Sequence, residues 1–265
     1  MPPDSPIVRN LQPVLETDDR VYYPVSDEMG ETSEHYWAAH DLVALLADYV
    51  RRNRVPAVVG SDQFFYFKRG DPRAVVCPDL YIIDDEPNDL KIDSWKLWEH
   101  DGKAPTLVLE IVSDEYAKDY ADHLITRYEQ LGARELIRFD PQHGRNPRRK
   151  LLSQFIRDDA GRLLEQPTEP GRIRSKFHDL WFVHQPDNTL RIAHGPNAAT
   201  LWPTAAEREA TDAEARARAE ARVLAEAEAR AAETRARVEA ETRAAEATAR
   251  AEAAEAELAR LRNRT

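Results

Sequence analysis

Residues 106–113 read Thr-Leu-Val-Leu-Glu-Ile-Val-Ser. Leu107, Val108, Leu109, Ile111 and Val112 form a nearly continuous apolar run of strand length, the pattern of a strand buried on both faces. Glu110 stands inside that run, where a carboxylate is costly unless it is paired or metal-bound. The flanking sequence supplies further elements. Downstream, 116–131 reads as a helix stopped by Gly132, and 135–139 as a strand ended by Asp140-Pro141. Upstream, 78–83 (Pro-Asp-Leu-Tyr-Ile-Ile) reads as a strand with Asp79 at its head. Before it, 56–60 and 63–67 read as strands around a turn. The segment 34–52 reads as an amphipathic helix with Ser33 as its N-cap. Residues 1–20 read as irregular. The resulting order, α-β-β-β-β-α-β, is that of an α/β domain. Further strands are expected at 150–156, 173–177 and 190–193.

The composition fits one sizeable core with an appendage. The chain has 265 residues, 42% hydrophobic and 32% charged, with a net charge of −11. Its mean hydropathy is −0.65. No apolar run approaches the roughly 18 residues of a membrane span. The N-terminus lacks a basic stretch followed by an apolar one, so no secretory signal is expected. The single cysteine, Cys77, excludes an internal disulfide and a four-cysteine zinc site, and a cytoplasmic location is expected. The negative charge argues against coating nucleic acid by bulk electrostatics, yet leaves room for local handling of DNA.

Composition changes abruptly at Pro203. Residues 204–265 contain no Gly, Pro, Lys or aromatic residue; 24 are Ala, 14 acidic and 12 Arg. These are strong helix formers, and Glu-to-Arg pairs at i,i+4 recur at 214–218, 226–230, 233–237, 239–243 and 246–250. A long helix is expected. Ala210, Ala217, Leu224, Ala231, Val238 and Ala245 recur every seven residues, but the second seam position includes Glu220 and Glu241. A solvated single helix, a coiled coil joining copies of the chain, and a partner-binding helix all remain open. The expected domains are therefore the segment 1–20, a core at 21–200 and the helix at 204–265.

Asp79 and Glu110 are carboxylates in unusual places for structure. If their strands are neighbours, both converge at one edge of the sheet. Hard oxygen ligands suit Mg²⁺ or Mn²⁺, which polarise a phosphodiester and acidify an attacking water. The competing readings are a buried ion pair for Glu110 and a strand-entry cap for Asp79. Glu31, before the first helix, could complete the metal shell or simply favour the helix dipole. The chain has no Gly-rich phosphate loop and no G-x-S-x-G elbow. Tyr128 and Trp98 read as packing residues. Two basic runs could touch phosphate: Lys68-Arg69 with Arg73, and Arg145 with Arg148-Arg149-Lys150.

Six stretches in order resemble the Uma-type restriction endonuclease family of the PD-(D/E)XK nuclease superfamily. They are 23–35 (YPVSDEMGETSEH), 60–67 (GSDQFFYF), 70–79 (GDPRAVVCPD), 97–105 (LWEHDGKAP), 107–113 (LVLEIVS) and 128–141 (YEQLGARELIRFDP). The resemblance covers about residues 20–195. It implies a restriction-endonuclease-like mixed sheet flanked by helices and Mg²⁺-dependent phosphodiester hydrolysis. Asp79 matches the PD aspartate, Glu110 the second acid and Glu31 the acid near the first helix. Asp79, Glu110 and the carbonyl of Ile111 would bind the metal. The sequence departs from the pattern at the lysine. Val112 occupies the usual position two residues after the second acid. On the following helix, 113–128 (SDEYAKDYADHLITRY), the lysine slot falls on Leu124. Lys118 is the nearest candidate cation, some 9 Å away along a helix axis. Two readings follow: a metal-dependent endonuclease acting on DNA, or a catalytically silent nuclease fold that assembles through its helix. Nothing in the sequence separates DNA from RNA.

Overall fold

The buried run becomes the third strand of a mixed six-stranded sheet. The computed structural model describes residues 33–112, 122–145 and 147–262. By contacts the chain divides into two units, Met1–Trp202 and Pro203–Thr265. The first contains α1 (Ser33–Arg52), β1 (Ala57–Gly60), β2 (Phe64–Tyr66), β3 (Val75–Val76), β4 (Leu80–Asp84), β5 (Ser94–Lys96) and β6 (Leu107–Ile111). It continues with α2 (Asp122–Leu131), β7 (Glu135–Phe139), β8 (Leu152–Arg157), β9 (Leu163–Gln166), β10 (Arg172–Arg174), β11 (Trp181–His184), β12 (Leu190–His194) and β13 (Thr200–Leu201). The second unit is one helix, α3 (Ala205–Arg262). The expected segment 1–20 and the expected helix start at 116–121 lie outside the described residues.

The central sheet runs β1-β4-β6-β7-β8-β9. Among the described strands of this sheet only β6 and β7 pair in parallel, because α2 lies between them in the chain and carries the crossover. The other neighbours are antiparallel. Alternation along the strands divides the core in two. Leu80, Ile82, Leu107, Leu109, Ile137 and Phe139 face α1 and residues of the four-stranded sheet β10-β11-β12-β13. Tyr81, Ile83, Val108 and Leu136 face α2 and residues of the three-stranded sheet β3-β2-β5. The α/β mixed sheet flanked by helices is thus the fold class that the sequence implied.

Polar groups tie the first layer together. The Tyr49 hydroxyl donates to the Asp179 carbonyl at 3.0 Å, and the Trp202 indole N–H to Asp48 at 3.0 Å. Glu135 is fully buried; Gln154 and the Ser175 hydroxyl donate to it at 2.7 Å each, and the Lys176 amide at 3.1 Å. Burial pushes the Glu135 carboxyl above its ordinary value despite these donors. The expected strand at 173–177 is shorter, because 175–180 turns back, with the Ser175 amide donating to the Leu180 carbonyl and the Leu180 amide to the His178 carbonyl. Five short strands, β3, β5, β9, β11 and β13, were not expected.

Helix α3 spans 58 residues, about 87 Å at 1.5 Å per residue. Its start is a capping box: the Glu207 carboxylate accepts from the Thr204 amide at 2.7 Å, and the Thr204 hydroxyl from the Glu207 amide at 3.1 Å. The ion pairs 214–218, 239–243 and 246–250 form as spaced. Arg237 instead turns forward to Glu241 at 3.6 Å, so the expected 233–237 pair does not form. Both partners on this helix are well exposed, and each such pair is worth a few tenths of a kcal/mol.

Candidate active site: a buried carboxylate pair

Asp79 and Glu110 meet because of strand register. β4 pairs with β6 as Leu80↔Leu109, Tyr81↔Val108 and Ile82↔Leu107. One step further along the same ladder sets Asp79 against Glu110. Asp79 shares the face of Tyr81, and Glu110 that of Val108, so both carboxylates stand on the α2 side of the sheet. Directly opposed residues in such a ladder have Cβ atoms about 5 Å apart. Both side chains are buried, Asp79 at 9% and Glu110 at 8% exposure.

Each carboxylate has a defined donor. Asp79 Oδ2 accepts the Ile111 amide at 2.6 Å, across from β4 to β6. Asp79 thereby tethers the neighbouring strand. The Tyr128 hydroxyl donates to Glu110 Oε1. Tyr128 lies on α2, is completely buried and belongs to the core. Burial first, then the charge and hydrogen bond of Glu110 and the charge of Asp79, push its ionisation well above the usual phenol range. It stays a protonated donor. A tyrosine on the apolar face of a helix reads as packing, so only the structure reveals this contact with Glu110.

The parallel register between β6 and β7 sets Arg138 beside Glu110. Arg138 is 8% exposed, with its guanidinium 5.3 Å from the Phe155 ring centre. Spacing alone offered no signal for it, since the residue sits 28 positions downstream. The lysine slots are apolar in structure as well as sequence: Val112 is buried and Leu124 packs against the core. Lys118 and Glu31 lie outside the described residues.

The donor set fits a small hard cation. Two buried carboxylates on adjacent strands, with the rest of the shell left to water and substrate phosphate, is the way Mg²⁺ is ordinarily held. Among the described residues no group of three or more His, Cys, Asp or Glu side chains is placed for a metal.

The fold is thus a mixed α/β sheet with a buried acidic pair where two of its inner strands meet. The chain belongs to the Uma2 family, described as "Putative restriction endonuclease", whose model matches residues 10–180. No curated protein matches it. Among solved structures the chain is similar to the crystal structure of a "putative nuclease belonging to DUF820" from Anabaena variabilis. The identity is 14%, over 64% of this chain and 73% of that chain, with a TM-score of 0.34. No helix among the described residues is long and apolar enough to cross a membrane.

Proposed function

We propose that this protein is a metal-dependent endonuclease that hydrolyses phosphodiester bonds in DNA. The observation that carries the reading is the Asp79–Glu110 pair, buried side by side on β4 and β6 in a chain of a restriction endonuclease family. Asp79, Glu110 and the carbonyl of Ile111 hold Mg²⁺ or Mn²⁺ in this reading, and Glu31 supports the metal or a water bound to it. The ion would polarise the phosphodiester and acidify the attacking water. Tyr128 fixes the Glu110 carboxylate through its hydroxyl, and the Ile111 amide fixes that of Asp79. These two bonds keep both carboxylates oriented before a metal arrives. Lys118 supplies the positive charge that meets the developing charge on phosphate. We place this activity in the cytoplasm, whose reducing conditions suit a chain with the single cysteine Cys77.

One observation favours a second reading, a catalytically silent nuclease fold. Val112 and Leu124 leave both usual lysine slots apolar. In that case the long helix is the working part. In either reading we propose that α3 pairs copies of the chain: Leu224 and Val238 lie two heptads apart and are more than half exposed.

Hydrolysis separates the two readings. Supercoiled DNA and RNA of the same sequence would be incubated with the protein in Mg²⁺, in Mn²⁺ and in EDTA. The endonuclease reading requires nicking of the DNA with either metal and none in EDTA. Intact substrate under all conditions, at enzyme excess, would leave the silent-fold reading.

A further inference from the structure

Of the two basic runs in the sequence, the structure gives them different fates. In the second, Arg149 is almost fully buried and grips Asp140 with two bonds of 2.6 Å. Lys150 pairs with Glu165 at 2.6 Å, and Arg145 donates to Gln142 at 2.7 Å. That run has structural work. In the first run, Lys68 and Arg73 line an open groove of about 620 Å³, together with Phe67, Asp71 and, from α2, Arg127 and Gln130. The Lys68 and Arg73 side chains are 69% and 82% exposed.

The groove is built by two elements. The β2–β3 connection is held as a hairpin by Phe67, Asp71 and Ala74 backbone bonds, with Gly70 at φ +80°. Asp71 accepts the Arg73 amide at 3.2 Å and lies 3.8 Å from Lys68 and 3.6 Å from Arg73. It thereby orders the two cations without cancelling them, since three cations face one acid. The Arg127 guanidinium donates to the Arg73 carbonyl and closes the wall between α2 and the hairpin.

The position is as telling as the charge. Arg127 is the residue before Tyr128, whose hydroxyl touches Glu110. Arg73 is six residues before Asp79, at most about 20 Å of extended chain. That distance matches a few nucleotides, since each strand of a duplex places a phosphate about every 3.4 Å along the axis. The protein as a whole is strongly acidic, at −11, so a polyanion is repelled by most of its surface. A local excess of cations, open to solvent and carried on the two segments that run into Asp79 and Tyr128, is where one can settle.

We propose that the Lys68–Arg73–Arg127 groove binds the phosphodiester backbone of nucleic acid and feeds it to the Asp79–Glu110 pair. The inference rests on the endonuclease reading for its purpose but not for its binding chemistry. Contacts are to phosphate, so affinity is independent of base sequence and falls steeply with salt. Gln130, one helical turn along from Arg127, lines the same wall and can donate to a phosphate oxygen or the sugar.

The test is equilibrium binding of the full chain to fluorescein-labelled 20-base-pair DNA and to the same sequence as RNA. It would be run in EDTA, so that nothing is cut, across a range of NaCl. Three proteins are compared: the natural chain, Lys68→Ala/Arg73→Ala, and Lys150→Ala/Arg162→Ala, which removes two cations elsewhere. The groove variant should bind about tenfold more weakly, and its log–log salt slope should fall by about 2, close to 0.9 per lost phosphate contact. The control pair should lie within about twofold of the natural chain. A Lys68→Glu/Arg73→Glu variant should weaken binding further, and matching melting curves show that the fold is intact. Weakening on DNA alone, RNA alone or both supports the groove and names the polymer. Equal affinity and slope in all proteins, or no binding by the natural chain, overturns it. Failure of the endonuclease reading looks different: binding is lost as described, but the natural chain never cuts.

Discussion

The Tyr128 hydroxyl is a single atom whose removal separates packing from function. Phe at position 128 keeps the ring in the core and deletes the donor to Glu110. A hydrogen bond to a charged group is worth about 1.5–3 kcal/mol, or roughly 10- to 100-fold in rate. Tyr128→Phe should therefore lower the DNA-nicking rate by that factor while keeping the native circular dichroism spectrum; an unchanged rate would remove Tyr128 from the site. Arg149 and Asp140 make a pair with side-chain exposures of 4% and 0%. Removing one partner strands a buried charge, so Arg149→Ala should cost about 3–5 kcal/mol in urea unfolding. Two carboxyls give opposite pH trends. Burial raises Glu135, so its contribution to stability is present below its unfolded value near 4.5 and is lost as pH rises through the folded value. The stability of Glu135→Gln relative to the natural chain should accordingly improve from pH 4.5 upward. Burial also raises Asp84, but hydrogen bonds from His178 and Thr106 and the charges of His178 and Arg134 outweigh it and hold it low. Its contribution is present above its unfolded value and is lost as pH falls through the folded one, so Asp84→Asn should flatten the acid limb of a melting-temperature profile.

At the scale of elements, the turn after β1 shows how tightly the sheet edge is packed. A Cβ on Gly60 would lie 2.3 Å from the Tyr81 hydroxyl, which itself donates to Gln63 at 2.7 Å. Gly60→Ala should cost about 1–3 kcal/mol by displacing a buried ring on β4, and a thermal melt reads it directly. The strands that were legible in sequence are those whose own residues carry the pattern. β6 is a run of apolar residues with one acid, and β4 and β7 are similar. Helix α1 showed its period, and α3 its composition. The short strands β3 and β5 have two and three residues and exist through pairing with β2, which no local window contains. The same division holds at the site. Asp79 and Glu110 were legible as charges among apolar neighbours. The Tyr128 contact and the placement of Arg138 beside Glu110 depend on a crossover and a register, which a linear pattern does not encode.

For the molecule as a whole, the sequence break at Pro203 marks two units with different physics. The first is held by buried apolar surface on both sides of a sheet. The second is an exposed helix sustained by Ala and by weak i,i+4 pairs, so in isolation from a partner its helicity should be graded with temperature. Self-association through α3 predicts a rise in sedimenting mass toward the dimer over about 1–100 µM, abolished by Leu224→Glu/Val238→Glu; a constant monomer mass would contradict it.

The central claim is that Asp79 and Glu110 form a metal-dependent phosphodiesterase site. The most direct measurement is the nicking rate of supercoiled DNA in Mg²⁺ by the natural chain and by Glu110→Gln, purified identically and assayed side by side. The natural chain should nick the DNA until EDTA is added, and Glu110→Gln should not nick it. Equal nicking by the two proteins, or none by either, would contradict it.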